Sequence, residues 1–372
     1  MNPEWRQRRR APWLRLVLIA LTSTAWACGP TAHPDAATRH AVILLYHHVA
    51  DDTPGSTSVS PATFAAHLRH LERHDYRVVP LSRIIQALNE RAPLPERAVV
   101  ITFDDAYRSV YTQAAPMLER YGYPYAIFVS TGYIDGGLGN YMTWQQLREL
   151  EDRGAEIGNH SRTHDHYLHR PTPESPAAWR QRIRTDIRAA QQRLDEQLER
   201  PLPALAYPYG EFSPALTAIA AELGYTAFGQ QSGAVAVSSD LQALPRFPMA
   251  GSYADMGALA EKLRTRPFAV RVLAPDDPVL PAGAAAPTLR LALRTPGARL
   301  DALACFVTGQ SAPAVEWVDR ENGVVEVTAA APLPAGRSKY TCTAPDGDEA
   351  GVYYWYSHLW MKPPAPGAWY RD

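Results

Sequence analysis

The stretch Ala98-Val-Val-Ile-Thr-Phe103-Asp104-Asp105 decides the fold, because six residues suited to a buried strand run directly into two carboxylates. β-Branched and aromatic residues dominate the run, as expected for a strand that is covered on both faces. Polar residues at the carboxyl end of such a strand are typical of α/β proteins, whose active sites gather there. The stretch therefore predicts a parallel sheet with a site at its carboxyl edge.

Outward from this stretch, short apolar runs alternate with amphipathic runs between residues 41 and 266. Strands alternating with helices at this spacing predict a parallel sheet with right-handed crossovers, either open or closed into a barrel. We predict strands at 41–46, 98–103, 125–129, 156–158 and 205–207, and helices at 61–74, 109–121, 143–152 and 175–199.

Polar clusters follow four of these strands. They are Tyr46-His47-His48, Asp104-Asp105, Asn159-His160-Ser161-Arg162-Thr163-His164 and Tyr207-Pro208-Tyr209-Gly210. The spacing of His160 and His164 predicts one face of a helical turn, from which both imidazoles could bind one metal ion. Taken singly, an acidic pair after a strand is more often a helix N-cap, and His-x-x-x-His is often a solvated face. Four clusters at four strand ends favour a metal-dependent hydrolase.

Two of these clusters resemble the first two motifs of the polysaccharide deacetylases, carbohydrate esterase family 4, also called the NodB-homology family. The similar segments are Thr102-Phe103-Asp104-Asp105 and His160-Ser161-Arg162-Thr163-His164. The resemblance implies a distorted (β/α) barrel over residues 38–268. It also implies that Asp105, His160 and His164 bind a divalent metal ion, zinc first with cobalt or nickel as alternatives, and that Asp104 is the general base.

The segment Ala206-Tyr207-Pro208-Tyr209-Gly210 is similar to the third motif of the family. The resemblance implies that the backbone N–H of Tyr209 helps to hold the oxyanion of the tetrahedral intermediate. Ala206 stands where the family usually has an arginine that orients the base. Arg246, after another strand-like run, is a candidate to replace that arginine.

Leu44-Leu45-Tyr46-His47 resembles the Leu-x-x-His motif that supplies the general acid, here moved to the first strand. This order is similar to the circularly permuted branch that acts on poly-β-1,6-N-acetylglucosamine in biofilms. The resemblance implies that His47 protonates the leaving amine. Four residues are candidates to line the substrate pocket: Leu44, Tyr46, Tyr207 and Arg246.

The function implied by this resemblance is removal of N-acetyl groups from an N-acetylglucosamine polysaccharide, with poly-β-1,6-N-acetylglucosamine as the first choice. Alternative substrates are peptidoglycan, chitin oligomers and O-acetylated polysaccharides. A catalytically silent sugar-binding lipoprotein is an alternative of another class. With 37 Lys and Arg against 38 Asp and Glu, the chain has no basic excess that would suggest nucleic acid as a partner.

The N-terminus has the composition of an export signal. Four arginines between residues 6 and 10 precede a short apolar stretch, and small residues then lead to Cys28. This order resembles a bacterial lipoprotein cleavage site and predicts a signal peptide at 1–27 with Cys28 lipidated, although an ordinary secretory signal is the alternative. We therefore expect a lipid-anchored protein on the periplasmic face of the envelope, with Gly29 favouring the outer membrane.

The C-terminal region has a different pattern. A Pro-, Ala- and Gly-rich stretch predicts a linker at 269–287, and short β-prone runs predict a sandwich at 288–372. Cys305, Trp317 and Cys342 follow the order of an immunoglobulin-type core, and Tyr340 lies where a tyrosine corner would be. With Cys28 as the anchor, Cys305 and Cys342 remain to form a disulfide in an oxidising compartment.

Two further sets of side chains each allow more than one role. The aromatic residues of 352–361 alternate between two faces, and one set could stack on sugar rings or pack against the catalytic domain. His67, His70 and His74 have the spacing of one helix face, and we expect this face to be solvated rather than to bind metal.

Overall fold

The fold was analysed in a computed structural model of the chain, which describes residues 40–171 and 173–369. The predicted signal peptide and Cys28 lie outside the described residues. The predicted fold class is confirmed: an α/β part with one curled sheet is followed by C-terminal β-sheets. No helix among the described residues combines the length and the apolar character needed to cross a bilayer.

The α/β part contains eleven strands and eight α-helices. The strands are β1 (His40–Tyr46), β2 (His48–Val49), β3 (Ser58–Val59), β4 (Arg77–Val78), β5 (Ala98–Phe103), β6 (Ala126–Val129), β7 (Glu156–Asn159), β8 (Ala204–Ala206), β9 (Thr226–Phe228), β10 (Val235–Ala236) and β11 (Phe247–Pro248). The helices are α1 (Pro61–Arg73), α2 (Leu81–Asn89), α3 (Ala115–Tyr121), α4 (Thr131–Asp135), α5 (Trp144–Asp152), α6 (Pro176–Gln197), α7 (Pro214–Glu222) and α8 (Met256–Leu263).

The main sheet has nine strands and follows the order β10-β1-β5-β6-β7-β8-β9, with β11 beside β1 and β4 beside β5. All pairs are parallel except β1 with β10. The carboxyl ends of β1, β5, β7 and β8 therefore meet at one edge, where the four polar clusters lie. The predicted helix at 109–121 begins instead with a π-helical turn, Val110–Ala114, before α3.

Register along β1 and β5 determines which side chains share a face. Leu45 pairs with Thr102 and Tyr46 with Phe103, and side chains alternate between the two faces of a strand. Leu44 and Tyr46 pack in the core that includes Phe64 of α1, whereas Ile43 packs in the second core, on the other face.

The C-terminal region contains two four-stranded sheets. Their strands are β12 (Thr265–Pro267), β13 (Val270–Ala274), β14 (Thr288–Leu293), β15 (Ala304–Val307), β16 (Ala314–Asp319), β17 (Val324–Thr328), β18 (Gly336–Pro345) and β19 (Tyr353–Lys362). One sheet has the order β12-β19-β18-β15 and the other β13-β14-β17-β16. The linker prediction is wrong for residues 270–274, because β13 is hydrogen-bonded along β14.

Cys305 and Cys342 form a disulfide. They are opposite each other on the neighbouring strands β15 and β18, whereas an immunoglobulin disulfide joins two sheets. The tryptophan buried in this core is Trp360, and Trp317 is only partly buried. The immunoglobulin-type assignment of these three residues is therefore wrong, while the Tyr340 hydroxyl does bind backbone, donating to the Pro287 carbonyl at 2.7 Å.

One face of β18 and β19 packs on the α/β part. The Trp355 ring lies 5.6 Å from the Phe247 ring in an edge-to-face contact, and Leu359 and Met361 belong to the same apolar cluster as Tyr207. Of the two explanations for these aromatic residues, packing against the α/β part is the one that applies to Trp355.

The expectation that His67 is solvated is wrong. Its side chain is fully buried on α1, where its ring nitrogens lie 3.0 Å from the Tyr46 hydroxyl and 2.7 Å from the Ala254 carbonyl oxygen. Hydrogen bonds on both sides compensate the loss of water around this polar ring.

Candidate active site

Asp105, His160 and His164 come together at the carboxyl edge of the main sheet. Their ligand atoms all lie within 4.8 Å of one another, with Asp105 Oδ1 3.3 Å from His160 Nε2 and 3.2 Å from His164 Nε2. Asp105 Oδ1 and His160 Nε2 are buried and form no hydrogen bond. Because unpaired polar atoms are costly to bury, three converging lone pairs fit a cation between them.

The orientation of His160 also fits a metal ligand. Its Nδ1 lies 2.8 Å from the carbonyl oxygen of Ala206. A carbonyl only accepts, so Nδ1 carries the proton and Nε2 presents its lone pair to the cluster. Two imidazoles and one carboxylate are a ligand set for zinc and related divalent ions that leaves a coordination position open.

The loop that carries the two histidines is not the helical turn that their spacing predicts. Ser161 and His164 adopt left-handed backbone conformations, with φ of 74° and 55°. Side-chain bonds hold this shape: the Ser161 N–H donates to Asn159 Oδ1 at 2.8 Å, and the His164 N–H donates to Ser161 Oγ at 2.8 Å. The histidines meet through this irregular loop rather than through helical periodicity.

The start of α4 holds the same loop from the other side. The Ser130 hydroxyl donates to the His160 carbonyl at 2.9 Å, and the N–H of Gly132 donates to the Arg162 carbonyl at 2.9 Å. A Cβ atom on Gly132 would lie 2.4 Å from that carbonyl oxygen. Only glycine therefore allows this close approach.

Asp104 lies beside the cluster, with its Oδ2 4.0 Å from His160 Nε2, and is bound by a buried arginine. The Arg246 guanidinium donates to both carboxylate oxygens of Asp104, at 2.7 and 2.8 Å. Both side chains are fully buried. Burial alone would raise the pKa of Asp104, but Arg246 and then His160 outweigh it and lower that pKa below its ordinary value.

Arg246 thus holds Asp104 in place, in a chain that has Ala206 where an arginine was expected. The guanidinium also donates to the Gly229 carbonyl at 3.0 Å. Its complete burial leaves it no surface in a substrate pocket, so that part of the expectation for Arg246 is wrong.

His47 follows β1 and lies beside the two aspartates. Burial lowers its pKa, and the charges of Asp105 and Asp104 act in the opposite direction. The neighbouring His48 stacks on the Tyr107 ring at 3.6 Å. The structure therefore places His47 near the aspartates, whereas His48 packs on the Tyr107 ring.

Tyr209 lies next to the histidine loop on a tight turn, Pro208–Gly210, with a left-handed φ of 59°. Its ring centroid is 4.6 Å from that of His164 and 3.8 Å from that of His166, with which it is stacked. The turn thus places the Tyr209 ring at the edge of the metal cluster.

The remaining pocket candidates lie in the core. Leu44, Tyr46 and Tyr207 are each at most 1% exposed. The Tyr46 hydroxyl lies against His67, and the Tyr207 hydroxyl donates to the Gln242 carbonyl at 2.8 Å. The expectation that these three line a substrate pocket is wrong, because their side chains pack inside hydrophobic clusters.

Sequence reasoning missed Glu211, a fully buried carboxylate directly after the Tyr209 turn. Both of its oxygens lie 3.1 Å from His166 Nδ1, and one lies 3.4 Å from Arg337 Nη1 on β18. Its position directly after the fourth polar cluster was a usable signal. The link to Arg337, 126 residues further along the chain, has no local signal.

A comparison with protein-family models matches residues 91–228 to the family described as polysaccharide deacetylase. Poly-β-1,6-N-acetyl-D-glucosamine N-deacetylase of Escherichia coli strain K12 is 27% identical over 247 residues, covering 57% of this chain and 37% of that protein. The protein of the same name from Staphylococcus epidermidis is 29% identical over 191 residues, covering 46% of this chain and 65% of that protein. The chain thus spans less than two thirds of the length of either relative.

Solved structures of similar fold include a deacetylase of Streptococcus pyogenes, PplD, in complex with acetate. The two share a TM-score of 0.54 and 23% identity, over 61% of this chain and 99% of that one. IcaB from Ammonifex degensii has a TM-score of 0.53 and 24% identity, over 60% of this chain and 97% of that one. The family model and the named relatives agree with each other, and residues 91–228 of this chain match the polysaccharide deacetylase family.

Proposed function

We propose that this protein is a metal-dependent N-deacetylase that hydrolyses the acetamide groups of a poly-β-1,6-N-acetylglucosamine type of polysaccharide in the bacterial envelope. The observation that carries the proposal is the Asp105–His160–His164 cluster beside the Asp104–Arg246 pair. A ligand set with an open position next to a fixed carboxylate suits hydrolysis of an amide or ester. Two relatives with this named activity favour the amide.

Each step of the proposed reaction is assigned to a different residue of the chain. Asp104, held by Arg246, accepts a proton from the water that attacks the acetyl carbonyl carbon. The backbone N–H of Tyr209 stabilises the oxyanion that forms. His47 then gives a proton to the sugar nitrogen as the C–N bond breaks, which releases acetate and a glucosamine residue. A zinc, cobalt or nickel ion held by Asp105, His160 and His164 would supply Lewis acidity at this place.

The test is acetate release from poly-β-1,6-N-acetylglucosamine by protein lacking residues 1–27, with zinc, cobalt or nickel added after chelation. Asp104→Asn and His160→Ala are measured beside the unaltered protein. Metal-dependent release that is lost in both variants supports the proposal. Release from peptidoglycan or chitin oligomers alone, or activity on acetyl esters alone, rejects the proposed substrate.

Two features motivate the alternative of a catalytically silent sugar-binding protein: Ala206 in place of the usual partner of the base, and the lack of the family's tryptophan-containing motif. Arg246 occupies the role of that partner in the geometry, so the argument from Ala206 is lost. Calorimetric binding of the polymer without acetate release at saturating metal would support the silent protein instead.

We also propose that the protein is exported and anchored by lipid on Cys28 at the outer membrane, on the periplasmic face. The arginine-rich start and the small residues before Cys28 support this, and the Cys305–Cys342 disulfide is suited to an oxidising compartment. Fractionation of cells that express the full chain and Cys28→Ser tests it. Equal membrane association of the two proteins contradicts lipidation.

A further inference from the structure

We infer that Arg337 of the C-terminal sheet is a positioning residue for the turn that carries Tyr209, so that this sheet forms part of the catalytic unit. The inference rests on the proposed function only for the role of the Tyr209 N–H. Two of the contacts that support it join β18 to the segment 207–211, and a third joins β18 to Gln230, which lies close to that segment.

The first contact is made by a buried carboxylate. Glu211 is fully buried and lies at the end of the turn. Its oxygens are 3.1 Å from His166 Nδ1 and 3.4 Å from Arg337 Nη1. A buried carboxylate requires nearby donors or cations to offset its lost hydration. Arg337 therefore stabilises the position of Glu211 and of the backbone next to it.

The second contact is made with the Tyr209 ring. The Arg337 guanidinium carbon lies 5.2 Å from the ring centroid, within the range of a cation–π interaction. The same ring stacks on His166 at 3.8 Å and meets His164 edge-on at 4.6 Å. Tyr209 is thus held between a metal-cluster histidine and a cation from the other part of the molecule.

The third contact is made by Lys339, two residues after Arg337 on β18, and it acts on the turn through Gln230. Its ammonium group donates to the Gln230 carbonyl at 2.7 Å. Gln230 packs closely against the turn. A Cβ atom on Gly210 would lie only 2.5 Å from the Gln230 Cβ atom. Arg337 and Lys339 point to the same side of β18 because side chains alternate along a strand.

Rigid support is needed at this turn because Tyr209 has a left-handed backbone without being glycine. Such a conformation is costly and persists where neighbouring contacts over-determine it. The direction of the Tyr209 N–H follows from this backbone conformation. Loosening the turn would therefore weaken oxyanion stabilisation more than it weakens substrate binding.

The experiment compares Arg337→Ala and Arg337→Lys with Arg290→Ala as a matched control. Arg290 pairs with Glu326 on the other C-terminal sheet, outside the contacts described above. Each protein is loaded with zinc, kcat for acetate release is calculated per bound metal ion, and KM is measured in the same assays. Amide hydrogen exchange of the segment 207–212 is followed by mass spectrometry in the same samples, which needs no activity.

We expect Arg337→Ala to lower kcat by about tenfold or more, with KM and metal content unchanged. Exchange in 207–212 should accelerate, Arg337→Lys should restore part of both effects, and Arg290→Ala should change neither. Combining Arg337→Ala with Glu211→Gln should cost less than the product of the single losses, since the two residues act together.

Unchanged exchange and unchanged kcat in Arg337→Ala would overturn the inference. A loss of kcat that vanishes after correction for bound metal, or that Arg290→Ala reproduces, would overturn it as well. Should the unaltered protein release no acetate from any of the polymers, the proposed function fails, and the exchange of 207–212 alone decides whether Arg337 holds the turn.

Discussion

Asp104 and Arg246 form a doubly hydrogen-bonded pair in the interior, although 142 residues separate them in the chain. Asp104 follows β5, and Arg246 directly precedes β11. Both strands flank β1 in the main sheet. The carboxylate and the cation that orients it therefore reach each other across β1, which is why Ala206 can stand where an arginine is usual. Five donors in a planar fork suit arginine for such a pair.

Breaking this pair from one side should cost stability. We expect Arg246→Met to lower the free energy of unfolding by about 3–5 kcal/mol, because it leaves Asp104 as a buried carboxylate without its cation. Asp104→Asn should also destabilise the protein. Urea denaturation of the chelated protein gives both values.

The double variant is the control for this interaction. Asp104→Asn with Arg246→Met removes both charges, so its loss of stability should be smaller than the sum of the two single losses. Additive losses would show that the two side chains do not depend on each other.

Gly132 should be essential for the histidine loop. We expect Gly132→Ala to weaken zinc binding by about tenfold, since its Cβ would collide with the Arg162 carbonyl and displace the loop that orients both histidines. Competition with a chromophoric chelator measures the affinity. Gly139→Ala is the matched control, because a Cβ there meets no atom within 4 Å. Equal affinities of the two variants would contradict this role of Gly132.

Burial of His67 should make the fold sensitive to acid. Burial lowers the pKa of His67 from 6.5 to about 4. Below pH 6.5 the unfolded chain gains a proton on this ring that the folded protein takes up only near pH 4. Stability is therefore complete above pH 6.5 and falls as the pH decreases towards 4, by about 3 kcal/mol from this residue.

His67→Gln removes this titration and keeps a polar side chain of similar reach. The decrease in unfolding free energy between pH 7 and pH 4.5 should be about 2–3 kcal/mol smaller in this variant than in the unaltered protein. Urea denaturation of both chelated proteins at the two pH values measures the difference. Identical decreases would show that His67 can accept a proton in the folded state.

The disulfide between Cys305 and Cys342 should contribute to stability by linking residues 37 apart in sequence. Loop-closure entropy predicts about 4 kcal/mol for a loop of this length, and Cys305→Ser with Cys342→Ser should lose a substantial part of it. Urea denaturation measures the loss. Thiol labelling of unfolded, unreduced protein is the independent check, and quantitative modification of both cysteines would contradict the pairing.

The local pattern of residues was enough to predict the strand at 98–103, which β5 matches residue for residue, and the α/β class of the main part. Apolar runs of strand length and helical periodicity are local properties, so they can be read from the sequence. His47, Asp105 and His160 were also recognisable, because they lie at the ends of strands or strand-like runs, and His164 was recognisable by its spacing from His160. Family resemblance then supplied roles for these positions.

Other features depended on contacts between distant residues. The helical turn expected for His160 and His164 is an irregular loop, because side-chain bonds from Asn159 and Ser161 compete with helix geometry. His67 has the spacing of a solvated face and yet is buried against Tyr46 and Ala254. Spacing alone could not distinguish these outcomes.

Sequence by itself thus determined the class of the fold and the alternation of its main strands and helices, since these follow from hydrophobic period, and the family resemblance indicated the residues able to bind a metal. Tertiary structure alone decided that Arg246 holds Asp104 and that Arg337 reaches Glu211 beside Tyr209. The physical reason is that the energy of a buried charge depends on which partners the folded chain brings within hydrogen-bond distance. No local pattern encodes that proximity across more than a hundred residues.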